Sequence, residues 1–297
     1  MLRKRYFTFP GLPPVVLNQD FVSVEGTGGA VWRPSIQFSN FVTSEEGRRC
    51  LPLSGKSVLE ISSGLGLGAV VAWHLGASPV VATDIDTENG PTALLARNVA
   101  ENCGRLAAAK AASPFASPAV APPPPPPTTT TTTWTPADED NRRPSLRGDV
   151  EPGPGGSGDD RERAVLSQPR GRKEVAAAAA VPLAPPPIVQ GLRWGDGDQL
   201  GEALVNFDGF APDVVLACDV VFDDAFLPAL TKTLADACVL RRTRAGARPR
   251  LCISHQKRNR ARENQFFAGL AVRLGGGDWR TVHQRDDLSV YVFEYHS

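Results

Sequence analysis

Clustered cysteine, net charge and long apolar runs are what this chain lacks. Its five cysteines (Cys50, Cys103, Cys218, Cys238, Cys252) are scattered and form no CxxC pair. The spacing supports neither a disulfide framework nor a zinc site, so no metal is expected and a reducing compartment is the simpler inference. Lys and Arg total 32, as do Asp and Glu, for a formal charge of +0. That balance withholds the basic excess of a general nucleic-acid binder. No apolar run approaches the roughly 18 residues of a membrane span, so no membrane partner is expected. The N-terminal stretch MLRKRYFTFPGLPP is basic but breaks into aromatics and prolines before a secretory core forms. Tyr6, Phe7 and Phe9 read instead as the first strand of a lead hairpin, with an organellar transit peptide as the lesser alternative. The expected location is the cytoplasm, with the nucleus second.

What is present divides the 297 residues sharply. From 104 to 186 the chain is Ala, Pro, Thr, Gly and charge, including PPPPPP at 122–127 and TTTTTT at 128–133. Too few large apolar residues remain there to offset ordering entropy, so a disordered insert with local polyproline II structure is expected. A proline-binding module is its conceivable partner; a tolerated low-complexity insertion is the plainer reading. The expected organisation is a lead segment at 1–56, then one domain made of 57–103 and 187–297. Without the insert roughly 215 residues remain, enough for a single α/β core.

The most informative stretch is 56–84, KSVLEISSGLGLGAVVAWHLGASPVVATD. Val58, Leu59 and Ile61 make a short apolar strand; Gly64, Gly66 and Gly68 let backbone approach a ligand, with Leu65 among the expected cofactor residues; Leu67 to Leu75 continue as an apolar helix. A second strand ends at Asp84, whose carboxylate suits two ribose hydroxyls. Gly64, Gly66 and Ala69 also fit the GxGxxA spacing of a dinucleotide site. Glu60, inside the strand, favours S-adenosylmethionine over NAD, because a carboxylate there can organise the loop and the ammonium end of a sulfonium cofactor that carries no pyrophosphate.

Strands and helices then alternate: a helix at 87–102, a strand at 188–194, a helix at 197–206, a strand at 213–218, a helix at 224–240, a strand at 250–254 and a helix at 259–274. This predicts a Rossmann-like α/β fold, a mostly parallel seven-stranded sheet with helices on both faces. DWRTVHQR and LSVYVFEY close the chain as an antiparallel hairpin. Ligands in such sheets bind beyond the carboxyl ends of the strands, which brings Gly64, Asp84, Trp194 and Asp219 to one edge.

Four stretches carry a family resemblance: VWRPSIQFSNFV (31–42), VLEISSGLGLGAVVAWHLGA (58–77), GLRWGDGDQL (191–200) and DVVLACDVVFDDAF (213–226). Together they resemble the seven-strand protein lysine methyltransferases of methyltransferase family 16, the group around methyltransferase-like protein 21, over the lead and both core pieces but not the insert. The resemblance implies S-adenosylmethionine as cofactor and a protein bearing the target lysine as substrate. It places Trp32, Gly64, Gly66, Asp84, Trp194 and Cys218 around the cofactor, and the family's DxxY or DxxF motif at Asp219 to Phe222. Two residues depart from the pattern: Ser62 stands where the family has its first loop glycine, and Cys218 where it usually has Ala.

Methyl transfer from a sulfonium to an amine requires an aligned, deprotonated nucleophile and gains most from proximity. Asp219 is the expected residue to hold or orient the amine, and the Phe222 ring a wall that attracts cationic charge. With Phe222 in place of Tyr, the motif supplies no phenolic proton acceptor. The plainer alternatives are a helix-capping Asp219 and a core Phe222. His255, Lys257, Arg258, Arg260 and Arg262 follow the penultimate parallel strand at the same ligand edge, where they form either a surface that recognises acidic protein or RNA, or the solvated start of a helix. A nucleic-acid methyltransferase of the same fold is disfavoured by the absence of proline between Asp219 and Phe222. A non-catalytic binding module is the remaining reading.

Overall fold

The computed structural model describes residues 2–24, 26–111 and 184–296. The chain divides into one compact unit, Met1–Ala116 with Pro182–Ser297, and a second, Ser117–Val181. The second unit, and with it most of the expected insert at 104–186, lies outside the described residues.

The first unit opens on two antiparallel strands, β1 (Arg3–Phe7) and β2 (Val15–Gln19), the expected lead hairpin, which forms a sheet of its own. Two helices follow that the sequence reading did not anticipate, α1 (Arg33–Thr43) and α2 (Glu45–Cys50). Pro34 sits in the first turn of α1, where its missing N–H costs nothing. Ser44 caps α2 by accepting from Gly47 N at 3.0 Å.

Next come β3 (Val58–Ile61), α3 (Leu67–His74), β4 (Val80–Asp84), α4 (Thr92–Ala111), β5 (Ile188–Gly191), α5 (Gly197–Val205), β6 (Val214–Cys218), α6 (Leu227–Val239), β7 (Arg250–Gln256), α7 (Arg260–Arg273), β8 (Gly277–Arg285) and β9 (Leu288–Tyr295). Seven strands form one sheet in the order β5-β4-β3-β6-β7-β9-β8. The first five are mutually parallel, and the final hairpin adds antiparallel. This is the expected Rossmann-like architecture.

Alternation along the central strands sends side chains to opposite faces. Val58 and Leu216 join one core with Phe38, Phe41 and Val70; Leu59, Ile61, Val215 and Ala217 join another with Leu200, Leu230 and Leu270. With both faces covered, these strands are continuously apolar. Glu60, between Leu59 and Ile61, therefore shares the Val58 face, on which α3 packs.

Helix boundaries moved where local chemistry decides them. α4 begins at Thr92, after Pro91, and continues through Arg105 and Leu106 into the alanines at 107–109, which are strong helix formers. Residues 104–111 thus belong to a helix, whereas the insert had been expected from 104. α6 starts at Leu227 because 223–226 form a turn in which Asp223 Oδ1 accepts from Ala225 N at 3.0 Å. The lead hairpin is tied to α4 by side-chain amides: Asn98 Oδ1 accepts from Asn18 N at 2.8 Å, and Asn102 Oδ1 from Val16 N at 2.9 Å. Among the described residues no helix is long and apolar enough to cross a membrane.

Candidate functional site

Three parallel strands, β3, β4 and β6, end side by side at one edge of the sheet. The residues at or just past those ends, Ser62, Asp84 and Asp219, line a single cavity of about 620 Å³. Trp32, Gly64, Trp194, Cys218, Phe222, Phe226 and Arg258 line it too. Its size and mixed lining are those of a small-molecule site.

On the β4 side, Asp84 Oδ2 accepts from Gly64 N at 2.7 Å and Oδ1 from Ile85 N at 2.8 Å. Burial raises the pKa of this carboxyl, against the lowering by those two N–H groups. Each oxygen keeps spare acceptor capacity toward the cavity. The loop across it, Gly26–Thr27–Gly28, carries the Trp32 indole, whose Nε1 donates to Thr27 O at 2.8 Å. Gly28 is required by close approach: a Cβ there would lie 2.7 Å from Pro91 Cβ.

Trp194 stands between the two halves of the cavity. Its Nε1 donates to Ser62 Oγ at 2.9 Å, and its ring meets Phe222 and Phe226 at 6.1 and 6.4 Å between centroids. Phe222 is 39% exposed, so it is no core residue. Cys218 closes the floor, its thiol pushed well above the ordinary range by burial and held neutral.

Asp219 caps no helix; its backbone N donates to Ser254 O at 2.8 Å. Its carboxylate receives Arg258 Nη1 at 2.6 Å and Nη2 at 2.7 Å. Arg262 makes a matching pair with Asp224 at 2.5 and 3.0 Å and donates to Phe222 O at 2.8 Å. The start of α7 therefore grips the whole 219–224 turn.

The expected basic cluster separates accordingly. Arg258 and Arg262 are engaged, Lys257 and Arg260 are exposed, and His255 is fully buried 3.1 Å from Glu263 Oε1. Ser62 and Asp219 both have φ of 59°, in the left-handed region that disfavours residues with a Cβ. Two such residues at the ends of neighbouring strands, both in the cavity, mark stored strain where ligands would bind.

Three expected cofactor residues do not line the cavity: Glu60, Leu65 and Gly66. Leu65 turns into the apolar core. Gly66 serves the turn into α3, with φ of 84° and Leu95 Cδ1 2.5 Å from where a Cβ would stand. Glu60 faces α3, where Oε2 accepts from Ala69 N at 2.8 Å and so takes the place of a helix cap. Burial pushes its carboxyl up to about 8. It thereby fixes the first turn of α3, which follows the loop. Sequence reasoning put Arg258 at this edge but did not pair it with Asp219, and it missed the 26–28 loop, whose one signal was its glycines. Among the described residues no cluster is placed to hold a metal.

No protein-family model and no curated protein matches this chain. Solved structures similar to it include a ribosomal protein L11 methylase from Lactobacillus delbrueckii subsp. bulgaricus, at 12% identity and TM-score 0.42, covering 90% of this chain and 81% of that one. A Thermus thermophilus 16S rRNA N2 G1207 methyltransferase in complex with AdoMet and guanosine gives 11% and 0.47, covering 99% and 51%. A putative SAM-dependent methyltransferase from Streptococcus mutans gives 10% and 0.49, covering 98% and 55%. The chain thus spans about half the length of the last two. Likeness of this extent assigns neither cofactor nor substrate to this chain.

Proposed function

We propose that the protein is an S-adenosylmethionine-dependent methyltransferase acting on a protein lysine. The observation that carries this reading is the single cavity at the carboxyl edge, where a ribose-type acid, a glycine turn, two tryptophans and an acid with an aromatic wall meet. Asp84 would hold the ribose hydroxyls, with Gly64, Trp32, Trp194 and Cys218 enclosing the nucleoside. Glu60 acts indirectly, by fixing the loop.

The acceptor side is Asp219 with Phe222, Phe226 and Trp194. A carboxylate has about four acceptor sites, of which Arg258 occupies two, so Asp219 can still receive an N–H from the amine. The guanidinium beside it disfavours a second cation, which helps the amine arrive neutral. S-adenosylmethionine, when bound, would supply a sulfonium methyl group: the amine nitrogen would form the N–CH₃ bond as the S–CH₃ electron pair returned to sulfur, and the resulting methylated ammonium would shed its proton afterwards. Aromatic faces around the nitrogen attract the positive charge that grows on it.

Lysine as acceptor rests on the family resemblance together with this acid-and-aromatic wall. Incubation with radiolabelled S-adenosylmethionine and a cell lysate, followed by protease or nuclease, tests the substrate class. Label released by protease alone supports the reading; label released by nuclease would make the protein a nucleic-acid methyltransferase. Absence of both label and cofactor binding would leave a binding module.

A further inference from the structure

Ser62 occupies the position at which a glycine would meet the same backbone demand without strain. Its φ is 59°, yet its side chain is used: Oγ accepts from Trp194 Nε1 at 2.9 Å and faces the cavity. Accepting that bond leaves the hydroxyl with its own proton, and none of its hydrogen bonds within the described residues uses it. Trp194 in turn touches Phe222 and Phe226, so this one hydroxyl ties the cofactor loop to the acceptor wall.

We propose that Ser62 is a cofactor-binding residue of this chain: it fixes the Trp194 indole across the cavity and donates its own proton to an oxygen of the nucleoside cofactor. The inference rests on the proposed use of S-adenosylmethionine. It reverses the simpler expectation that serine at a glycine position impairs the loop. The backbone strain is retained because the hydroxyl is needed there, as strained residues at binding sites commonly are.

The test uses the full chain and S-adenosylhomocysteine titrated by calorimetry. Ser62→Gly relieves the strain and removes the hydroxyl, so the thermal midpoint holds or rises while affinity falls about tenfold, the effect of losing one hydrogen bond and loosening a second. Ser62→Ala keeps the strain, so its midpoint falls, with the same loss of affinity. Trp194→Phe keeps a ring and removes the N–H, with a smaller loss of about threefold. The double variant S62G/W194F binds no worse than S62G, because the two residues act through one bond.

Undiminished affinity in S62G, or losses that multiply in the double variant, would overturn the inference while leaving the cofactor reading intact. Failure of the unaltered protein to bind S-adenosylhomocysteine would overturn that reading and the inference with it.

Discussion

Arg258 and Asp219 are joined by two parallel hydrogen bonds, 2.6 and 2.7 Å long, across 39 positions of sequence. The Asp219 side chain is 6% exposed and that of Arg258 35%. Planar guanidinium matched to planar carboxylate fixes orientation as well as charge. The acid that follows β6 is therefore aimed by the segment that follows β7.

Removing one member of this pair is expected to leave a mostly buried charge without its partner. Arg258→Ala should lower unfolding stability by about 1–3 kcal/mol, measured in urea, the partial exposure keeping the loss below that of a fully buried pair. Methyl transfer should fall more than tenfold as Asp219 loses its orientation. Arg258→Lys, a point charge without the fork, should recover stability better than activity.

Trp32 offers a separation of binding from folding. The residue is 43% exposed, and among the described residues its side chain's hydrogen bond is the one from Nε1 to Thr27 O. Trp32→Ala should shift stability by less than about 1 kcal/mol while weakening S-adenosylhomocysteine binding by about tenfold, the loss of a stacked aromatic wall. Equal affinity in the variant would remove Trp32 from the site.

Glu60 makes stability depend on pH. Its folded carboxyl is raised by burial to about 8 from an ordinary value of 4.5. The folded state thus holds a proton that the unfolded chain releases. The associated stabilisation is complete below about 4.5 and is lost as pH rises toward 8. The unfolding free energy should accordingly decline between pH 5 and 8 by an amount on the order of a few kcal/mol, and the thermal midpoint should fall with it. Glu60→Gln, which stays neutral and can still accept from Ala69 N, should flatten that decline. An unchanged slope in the variant would show that Glu60 is not its source.

The cavity draws no lining residue from 104–111 or 184–187, which flank the second unit. We propose that residues 112–183 are dispensable for the pocket. Replacing 112–183 by a short Gly/Ser linker should leave the affinity for S-adenosylhomocysteine within about twofold, and a large loss in a folded variant would place that region in the site.

Much of the site was legible because strand ends are legible. Once β3, β4 and β6 are read from their apolar runs, the parallel-sheet rule sends Asp84 and Asp219 to one edge, and the tryptophan after β5 joins them. Glu60 was misplaced for a local reason: alternation puts its side chain under α3, a direction that spacing alone does not give without knowing which helix covers which face. Arg258 was hidden because its partner is distant in sequence, while its neighbours Lys257 and Arg260 do point to solvent. Ser62 was legible only as a departure from the family's loop glycine, because its bond to Trp194 spans 132 positions. Helices α1 and α2 carried no alternation with strands to announce them.

The central claim is that this cavity moves a methyl group to a protein lysine with Asp219 at the acceptor. It is tested most directly by incubating the protein, and separately its Asp219→Ala variant, with methyl-tritiated S-adenosylmethionine and a cell lysate, then hydrolysing the proteins in acid and identifying the labelled amino acid. The expected result is tritium in methylated lysine with the unaltered protein, and none above background with Asp219→Ala although that variant still binds S-adenosylhomocysteine. Label in another residue or in nucleic acid, or undiminished methyl-lysine with Asp219→Ala, would contradict it.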